Sequence, residues 1–379
     1  MHALKALYGD VLRLSPSRID RLASCRCGYY LEYGLKLEER KEYRFDAPVF
    51  GTFVHDVLEH TVQQVTAQGG FRSLTDEQIK ALAEENIANF TRDKMQGLEG
   101  KDDRFVYLYH RNREEIMAIL SGISREMRRS SFEPVAFELR FAPGGDLPAV
   151  QIPDTSFPAQ IIGVVDRADL YKTDNASYLR IVDYKTGRKS LDYADLTIGV
   201  GLQMLIYLFS MQKTGLPNEQ ARLQPAGVLY LPAREPFLSM PHRPDDEELA
   251  GKRRTENRRK GLISDDEMLL QAMEENDGKP EFMPYKVGKE GPVGDLASRE
   301  QWHLLENHVQ NSLKGLVEQI AEGDVTPNPY QRGTYSSCNW CAFEPICRFA
   351  SGGGCMRSYE EIKASEFWAQ LEKEAEERG

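Results

Sequence analysis

Three features of this 379-residue sequence predict an α/β fold with a mixed central sheet flanked by helices. Helical periodicity dominates the first 130 residues, strand-like segments cluster after Pro134, and the order β-β-β-α-β that follows requires both antiparallel and parallel pairing.

Taken in order, Ser15-Pro16-Ser17 is a helix-start signal for a helix over 15–35 that carries Ile19, Leu22, Tyr29 and Leu31, with cysteines near its middle. Apolar residues recur at helical spacing over 51–65 (Phe53, Val54, Val57, Leu58, Val62, Val65) and over 114–129 (Ile116, Ile119, Leu120, Ile123, Met127). Together these make 1–132 a mostly helical N-terminal part. The catalytic sheet is expected over 133–232. Its strands fall at 135–141, 161–170 and 178–184, where β-branched and aromatic residues are dense. A Pro/Gly-rich turn region covers 142–158, a helix follows over 198–213, and a further strand covers 226–231. Residues 233–300 are polar and interrupted, with an acidic run at 245–248, a basic run at 252–260 and a Gly/Pro-rich stretch at 278–294, so they read as a long insertion. The last part, 301–379, continues a helix over 299–322 into a cysteine-bearing loop at 333–355. Ser358 and Glu361 then form a capping box for a terminal helix. No internal repeat is visible, and all parts belong to a single domain over 1–379.

The net charge of −11 excludes a protein that coats nucleic acid through bulk charge, because such affinity comes from Lys and Arg neutralising phosphates. Any such contact is local. No run reaches the roughly 20 apolar residues of a membrane helix, and the start lacks a basic stretch leading into an apolar one, so no membrane association and a cytoplasmic location are expected.

The informative chemistry lies in Gly163-Val164-Val165-Asp166-Arg167 and, seventeen positions after Asp166, in Asp183-Tyr184-Lys185-Thr186-Gly187. Adjacent strands at that spacing bring Asp166 and Asp183 to one sheet edge, and Asp183 and Lys185, two apart, point to the same face. Convergent carboxylates suit Mg²⁺, a hard ion that prefers oxygen. A lysine beside them can orient or help deprotonate an attacking water and offset charge on a pentacoordinate phosphate. The implied chemistry is phosphodiester hydrolysis. Asp-x-Lys also occurs by chance at exposed strand ends, so the surrounding residues matter. His55, within Gly51-Thr52-Phe53-Val54-His55, is placed on a helix from which an imidazole can reach the same metal. Gln203 and Tyr207, four apart, share one helix face and can contact phosphate or hold Lys185.

The ordered series Gly-x-x-x-His, Gly-x-x-Asp-Arg, Asp-Tyr-Lys-Thr-Gly and Gln-x-x-x-Tyr resembles the PD-(D/E)XK nuclease superfamily, specifically its RecB-like branch. The resemblance implies a restriction-endonuclease-like fold in which His55, Asp166 and Asp183 bind the metal. It also implies that Lys185 is catalytic, that Gln203 and Tyr207 support the site, and that no covalent enzyme intermediate forms.

Six cysteines in a chain of this type read as thiols or metal ligands before disulfides. Cys338, Cys341 and Cys347 form C-x2-C-x5-C, so three thiolates can converge from one loop. A fourth ligand must come from Cys25, Cys27 or Cys355, and spacing alone separates Zn²⁺ from a [4Fe-4S] cluster poorly. A bond from residue 25 to 338–347 closes a loop of roughly 300 residues and restricts the unfolded chain strongly. The segment from Ser17-Arg18-Ile19 to Cys25-Arg26-Cys27-Gly28-Tyr29-Tyr30, together with 338–347, resembles AddB-type subunits of bacterial helicase–nucleases. This resemblance implies a structural [4Fe-4S] cluster on Cys25, Cys338, Cys341 and Cys347. Cys27 falls where relatives usually carry an aromatic residue and Arg26 where they usually carry proline, so Cys25 and Cys27 stay open as the fourth ligand.

The AddB resemblance runs from Leu14 to the terminal helix and includes Gly261-Leu262-Ile263 and Pro327-Asn328-Pro329-Tyr330. It implies the nuclease portion of a larger subunit, or a free-standing relative, that acts on single-stranded DNA with an AddA-type helicase subunit in double-strand-break repair. The sequence contains no Gly-x-x-x-x-Gly-Lys-Ser/Thr loop, so the motor activity is expected elsewhere. Two other readings are a CRISPR-adaptation iron–sulfur nuclease, disfavoured by the length of 233–300, and a non-catalytic zinc-held DNA-binding module, disfavoured by two carboxylates where phosphate would lie. The basic run (Lys252, Arg253, Arg254, Arg258, Arg259, Lys260) is either a solvated loop or a contact to DNA or a partner.

Overall fold

The computed structural model describes residues 2–38, 47–187, 189–217, 219, 221–234, 238–240, 242, 244–352 and 354–377. Six strands make the central sheet: β1 (Glu133–Phe141), β2 (Gly163–Lys172), β3 (Ser177–Lys185), β4 (Leu223–Pro232), β5 (Lys260–Ser264) and β6 (Leu296–Ala297). They lie side by side in chain order. Pairing is antiparallel for β1–β2, β2–β3 and β4–β5, and parallel for β3–β4 and β5–β6. The mixed sheet is therefore present. Its parallel β3–β4 pair needs a crossover, which the helix Gln203–Thr214 supplies.

Helices cover both faces. We label them α1 (Pro16–Ser24), α2 (Ala47–Ala67), α3 (Asp76–Asp93), α4 (Asp103–Arg129), α5 (Gln203–Thr214), α6 (Asp246–Glu256), α7 (Arg299–Glu322) and α8 (Ala364–Glu376). On one face, Leu179 and Ile181 of β3 join a core with Leu205 of α5, Leu313 of α7 and Phe367 of α8. On the other, Val182 and Tyr184 pack with Val57 of α2, Ile87 of α3 and Ile123 of α4. Alternation along one strand thus feeds two cores. The central strands β3 and β4 read as nearly continuous apolar runs because both faces are buried. Among the described residues, no helix is long and apolar enough to cross a membrane.

Several boundaries differ from the sequence expectation for local reasons. The helix expected over 15–35 breaks at Cys25, which is extended (φ −167°, ψ 114°), and resumes at Arg26–Tyr29 and Tyr30–Gly34. The 161–170 strand is two strands. Ala159–Ile161 belongs to a small sheet with Leu12–Leu14 and Val150–Ile152, the last lying inside the expected turn region, and β2 begins at Gly163. The helix expected from 198 starts at Gln203, because Gly199 and Gly201 take φ of +79° and +74° and end the preceding turn. The terminal helix starts at Ala364, not after Ser358. There the Lys363 N–H donates to the Glu366 carboxylate at 2.8 Å, while Ser358 lies in a short strand.

The largest correction concerns 233–300, expected as an insertion. Much of it is integral to the fold: β5 and β6 extend the central sheet, and Leu262 and Ile263 are fully buried, one in each core. Polar flanks hid a five-residue strand. Within the basic run, Arg259 is also buried, donating to Glu126 of α4 at 2.6 and 2.8 Å. Arg258 donates to the carbonyls of Pro280 and Glu281. Only part of that run is a solvated charge patch.

Candidate active site and cysteine cluster

Asp166 and Asp183 come from antiparallel neighbours whose register pairs Arg167 with Val182. The Tyr184 N–H donates to Asp166 Oδ2 at 2.9 Å, which ties the two strands at the site. Lys185 Nζ lies 2.7 Å from Asp183 Oδ2. That ion pair lacks hydrogen-bond alignment, so the buried Oδ2 has no aligned donor. Burial and then the nearby Asp166 carboxylate push Asp183 up to about 6. Burial also pushes Asp166 up to about 6, against the opposing pull of the Tyr184 N–H. Two carboxylates held this close in low dielectric resist ionising together.

His55 of α2 reaches the same point. Its Nδ1 is 3.6 Å from Asp166 Oδ2, and its ring stands edge-on to Tyr184 with centroids 6.0 Å apart. Burial lowers its pKa and so favours the neutral imidazole.

Tyr207 and Gln203, on α5, hydrogen-bond each other, and the Val164 N–H donates to the Tyr207 hydroxyl. The pair is therefore anchored to the backbone two residues before Asp166, and the Tyr207 ring stacks on Phe141 of β1 at 6.0 Å. Gly163 makes this approach feasible: a Cβ there would lie 2.2 Å from the Tyr207 hydroxyl. The Gly-x-x-Asp spacing thus records a packing need beside the acid.

Behind the site runs a buried ionic chain. Arg167 donates to the Tyr184 hydroxyl at 3.1 Å and pairs with Asp169 at 2.9 Å, and Arg180 donates to Asp169 at 2.8 Å. Arg180 also lies 3.6 Å from Glu126, which holds Arg259. Sequence reasoning missed two carboxylates near Asp166. Glu138 of β1 adds to its repulsion, and Glu59 of α2 is itself raised, chiefly by burial, with Asp56 and Asp166 adding repulsion. Glu59 was detectable, since it lies one helical turn from His55. Glu138 gave no such signal.

The donor set fits a hard divalent ion: two buried carboxylates, one with an oxygen lacking an aligned donor, beside a neutral imidazole. Among the described residues, no three His, Cys, Asp or Glu side chains form a closed metal cage. Mg²⁺ does not require one, because it usually takes one or two carboxylates and keeps waters.

The N-terminal and C-terminal cysteines do meet. Cys25 and Cys27 pack with Leu31 and Phe343, against Cys341 and Cys347. Burial, with Cys347 and Cys25 close by, pushes the Cys27 thiol up to about 12, and Cys27 and Cys347 hydrogen-bond. Burial also raises Cys338, with Cys25, Cys341 and Cys347 nearby. Arg21 donates to Cys341 Sγ at 3.2 Å. Cys355 is exposed. The thiols are the right chemistry for a thiolate-held metal centre, and both Cys25 and Cys27 face the C-terminal set.

The family model described as the PD-(D/E)XK nuclease superfamily matches residues 13–348. The chain belongs to this superfamily. Its similar proteins include an ATP-dependent helicase/deoxyribonuclease subunit of the AddB type from Acetivibrio thermocellus, 32% identical over 387 residues and covering 99% of this chain and 33% of that protein. The protein of the same name from Thermoanaerobacter sp. (strain X514) is 30% identical over 384 residues, with the same coverage. That from Clostridium acetobutylicum is 28% identical over 388 residues, covering 100% of this chain and 33% of that protein. The chain spans about a third of the length of these relatives.

Proposed function

We propose that this chain is a Mg²⁺-dependent deoxyribonuclease that hydrolyses phosphodiester bonds of single-stranded DNA. The observation that carries the reading is the buried Asp166–Asp183 pair with Lys185 2.7 Å from Asp183 and His55 3.6 Å from Asp166. Asp166, Asp183 and His55 would hold the metal, which supplies Lewis acidity and an activated water. Lys185, the cation nearest the pair, orients that water and offsets charge building on the phosphate. The Tyr184 N–H fixes the Asp166 carboxylate, while Gln203 and Tyr207 fix the strand that carries it.

The relatives' name joins helicase and deoxyribonuclease activities, and this chain aligns to a third of their length. On that basis its partner is an AddA-type helicase subunit, its role is strand processing in double-strand-break repair, and its location is the cytoplasm. Cys338, Cys341 and Cys347, with Cys25 or Cys27, would hold a structural [4Fe-4S] cluster, Zn²⁺ being the alternative.

The test is metal-dependent cleavage of a labelled oligonucleotide, single-stranded and duplex, before and after chelation. Cleavage of the single strand that stops on chelation and returns with Mg²⁺ is expected. Cleavage that persists without divalent metal would reject the reading.

A further inference from the structure

Charge is distributed unequally around the carboxylate pair. On the Asp166 side lie further acids, Asp56, Glu59 and Glu138, which raise one another's pKa values or that of Asp166. Asp56 is matched by Lys94 and by His60 at 3.4 Å, and Arg140 partly offsets Glu138. On the Lys185 side opens a groove of about 1310 Å³, larger than the roughly 300–1,000 Å³ of small-molecule sites. Its cations are Lys185, Lys189, Arg234, Arg253, Lys260 and Arg111. Four acids also line it, and three of them face a cation: Glu115 with Arg111 at 3.0 Å, Glu256 with Lys252 at 3.9 Å, and Asp295 beside Lys260. Glu114 is the fourth. Lys189 and Arg234 are exposed. In a chain of net charge −11, a cationic groove that begins at the active-site lysine focuses the field on one path.

Half-buried Pro232, Leu238 and Leu249 add apolar wall to the same groove. Unpaired bases have exposed faces that can rest on such a wall, whereas a duplex hides them in its stack.

We infer that this groove seats the substrate: a single-stranded nucleic acid reaches the carboxylate pair from the Lys185 side and lays its phosphates along Lys189, Arg234, Arg253 and Lys260. The inference rests on the nuclease reading and adds a direction of approach to it. Phosphates are repelled from the Glu59–Glu138 side and attracted on the other. The groove brings together residues of the β3–α5 connection, the end of β4, α6 and the start of β5, so 233–300 becomes part of the substrate path.

The test uses the full chain carrying Lys189→Glu with Arg234→Glu, and a milder Lys189→Gln with Arg234→Gln. The probes are a fluorescein-labelled single-stranded oligonucleotide, the duplex of the same sequence, and bis-p-nitrophenyl phosphate, a diester too small to span the groove. Charge reversal should raise the KM for the oligonucleotide about tenfold or more at low salt. It should flatten the slope of log affinity against log salt by about 1.4, about 0.7 for each phosphate no longer neutralised. The neutral variant should move in the same direction by less, and hydrolysis of the small diester should be unchanged in both. Unchanged oligonucleotide KM and salt slope would overturn the groove, and so would tighter wild-type binding of the duplex. If the wild type cleaves neither probe but the variants still flatten the salt slope, the groove stands and the catalytic reading falls.

Discussion

Asp183 is nearly inaccessible to solvent and shares its pocket with Asp166, so the pair is easiest to keep in the folded protein when it holds a proton. Both carboxyls are pushed up to about 6, against about 3.9 for an unfolded aspartate. A carboxyl raised by folding contributes stability that is fully present below about pH 4 and is lost as pH rises through about 6. A divalent cation reverses the preference by binding the ionised pair. Mg²⁺ should therefore raise the melting temperature at about pH 7.5 and have little effect at about pH 5. Thermal melts with and without Mg²⁺ at the two pH values check this, and an equal increment at both would contradict it. Of these residues, Asp166, Asp183, Lys185 and His55 were legible in the sequence because chemistry restricts their type and spacing. Glu138 was not, because its nearness to Asp166 arises only from the pairing of β1 with β2.

Elements position the site through backbone contacts. Helix α5 presses on β2 where Gly163 leaves room for Tyr207, whose hydroxyl accepts from the Val164 N–H. Gly163→Ala forces the ring or the strand to move, and overpacking of this kind costs about 1–3 kcal/mol. Urea denaturation should show that loss, with a larger proportional loss of cleavage, since Asp166 lies three residues along the strand; unchanged stability and activity would contradict the packing role. The element pattern was readable where periodicity was long, as in α4 and α7. It failed at α5, whose start is set by two left-handed glycines, and at β5, whose five residues are flanked by charge. Arg167, Asp169 and Arg180 show a further limit. Each looks like a surface charge in sequence, yet all three are fully buried and neutralise one another behind the sheet.

At the scale of the whole molecule, the chain is held at both ends by sulfur. Cys25 and Cys27 end or follow α1, and Cys341 and Cys347 approach them from beyond α7, so any metal bound there closes a loop of roughly 300 residues and restricts the unfolded chain. Cys338→Ala should lower both the iron content of anaerobically purified protein and its melting temperature. Unchanged iron and melting would contradict a structural cluster, and zinc in place of iron would identify the alternative metal. Spacing made the C-terminal triplet legible, but which N-terminal cysteine completes the set is decided by a fold that brings both to the same pocket. The central claim is tested most directly by Mg²⁺-dependent cleavage of labelled single-stranded DNA by wild type and Asp183→Ala. Loss of one metal-holding carboxylate should lower the rate on the order of 10³-fold, with secondary structure intact by circular dichroism; equal rates in the two proteins would contradict the assignment of Asp183 to the active site.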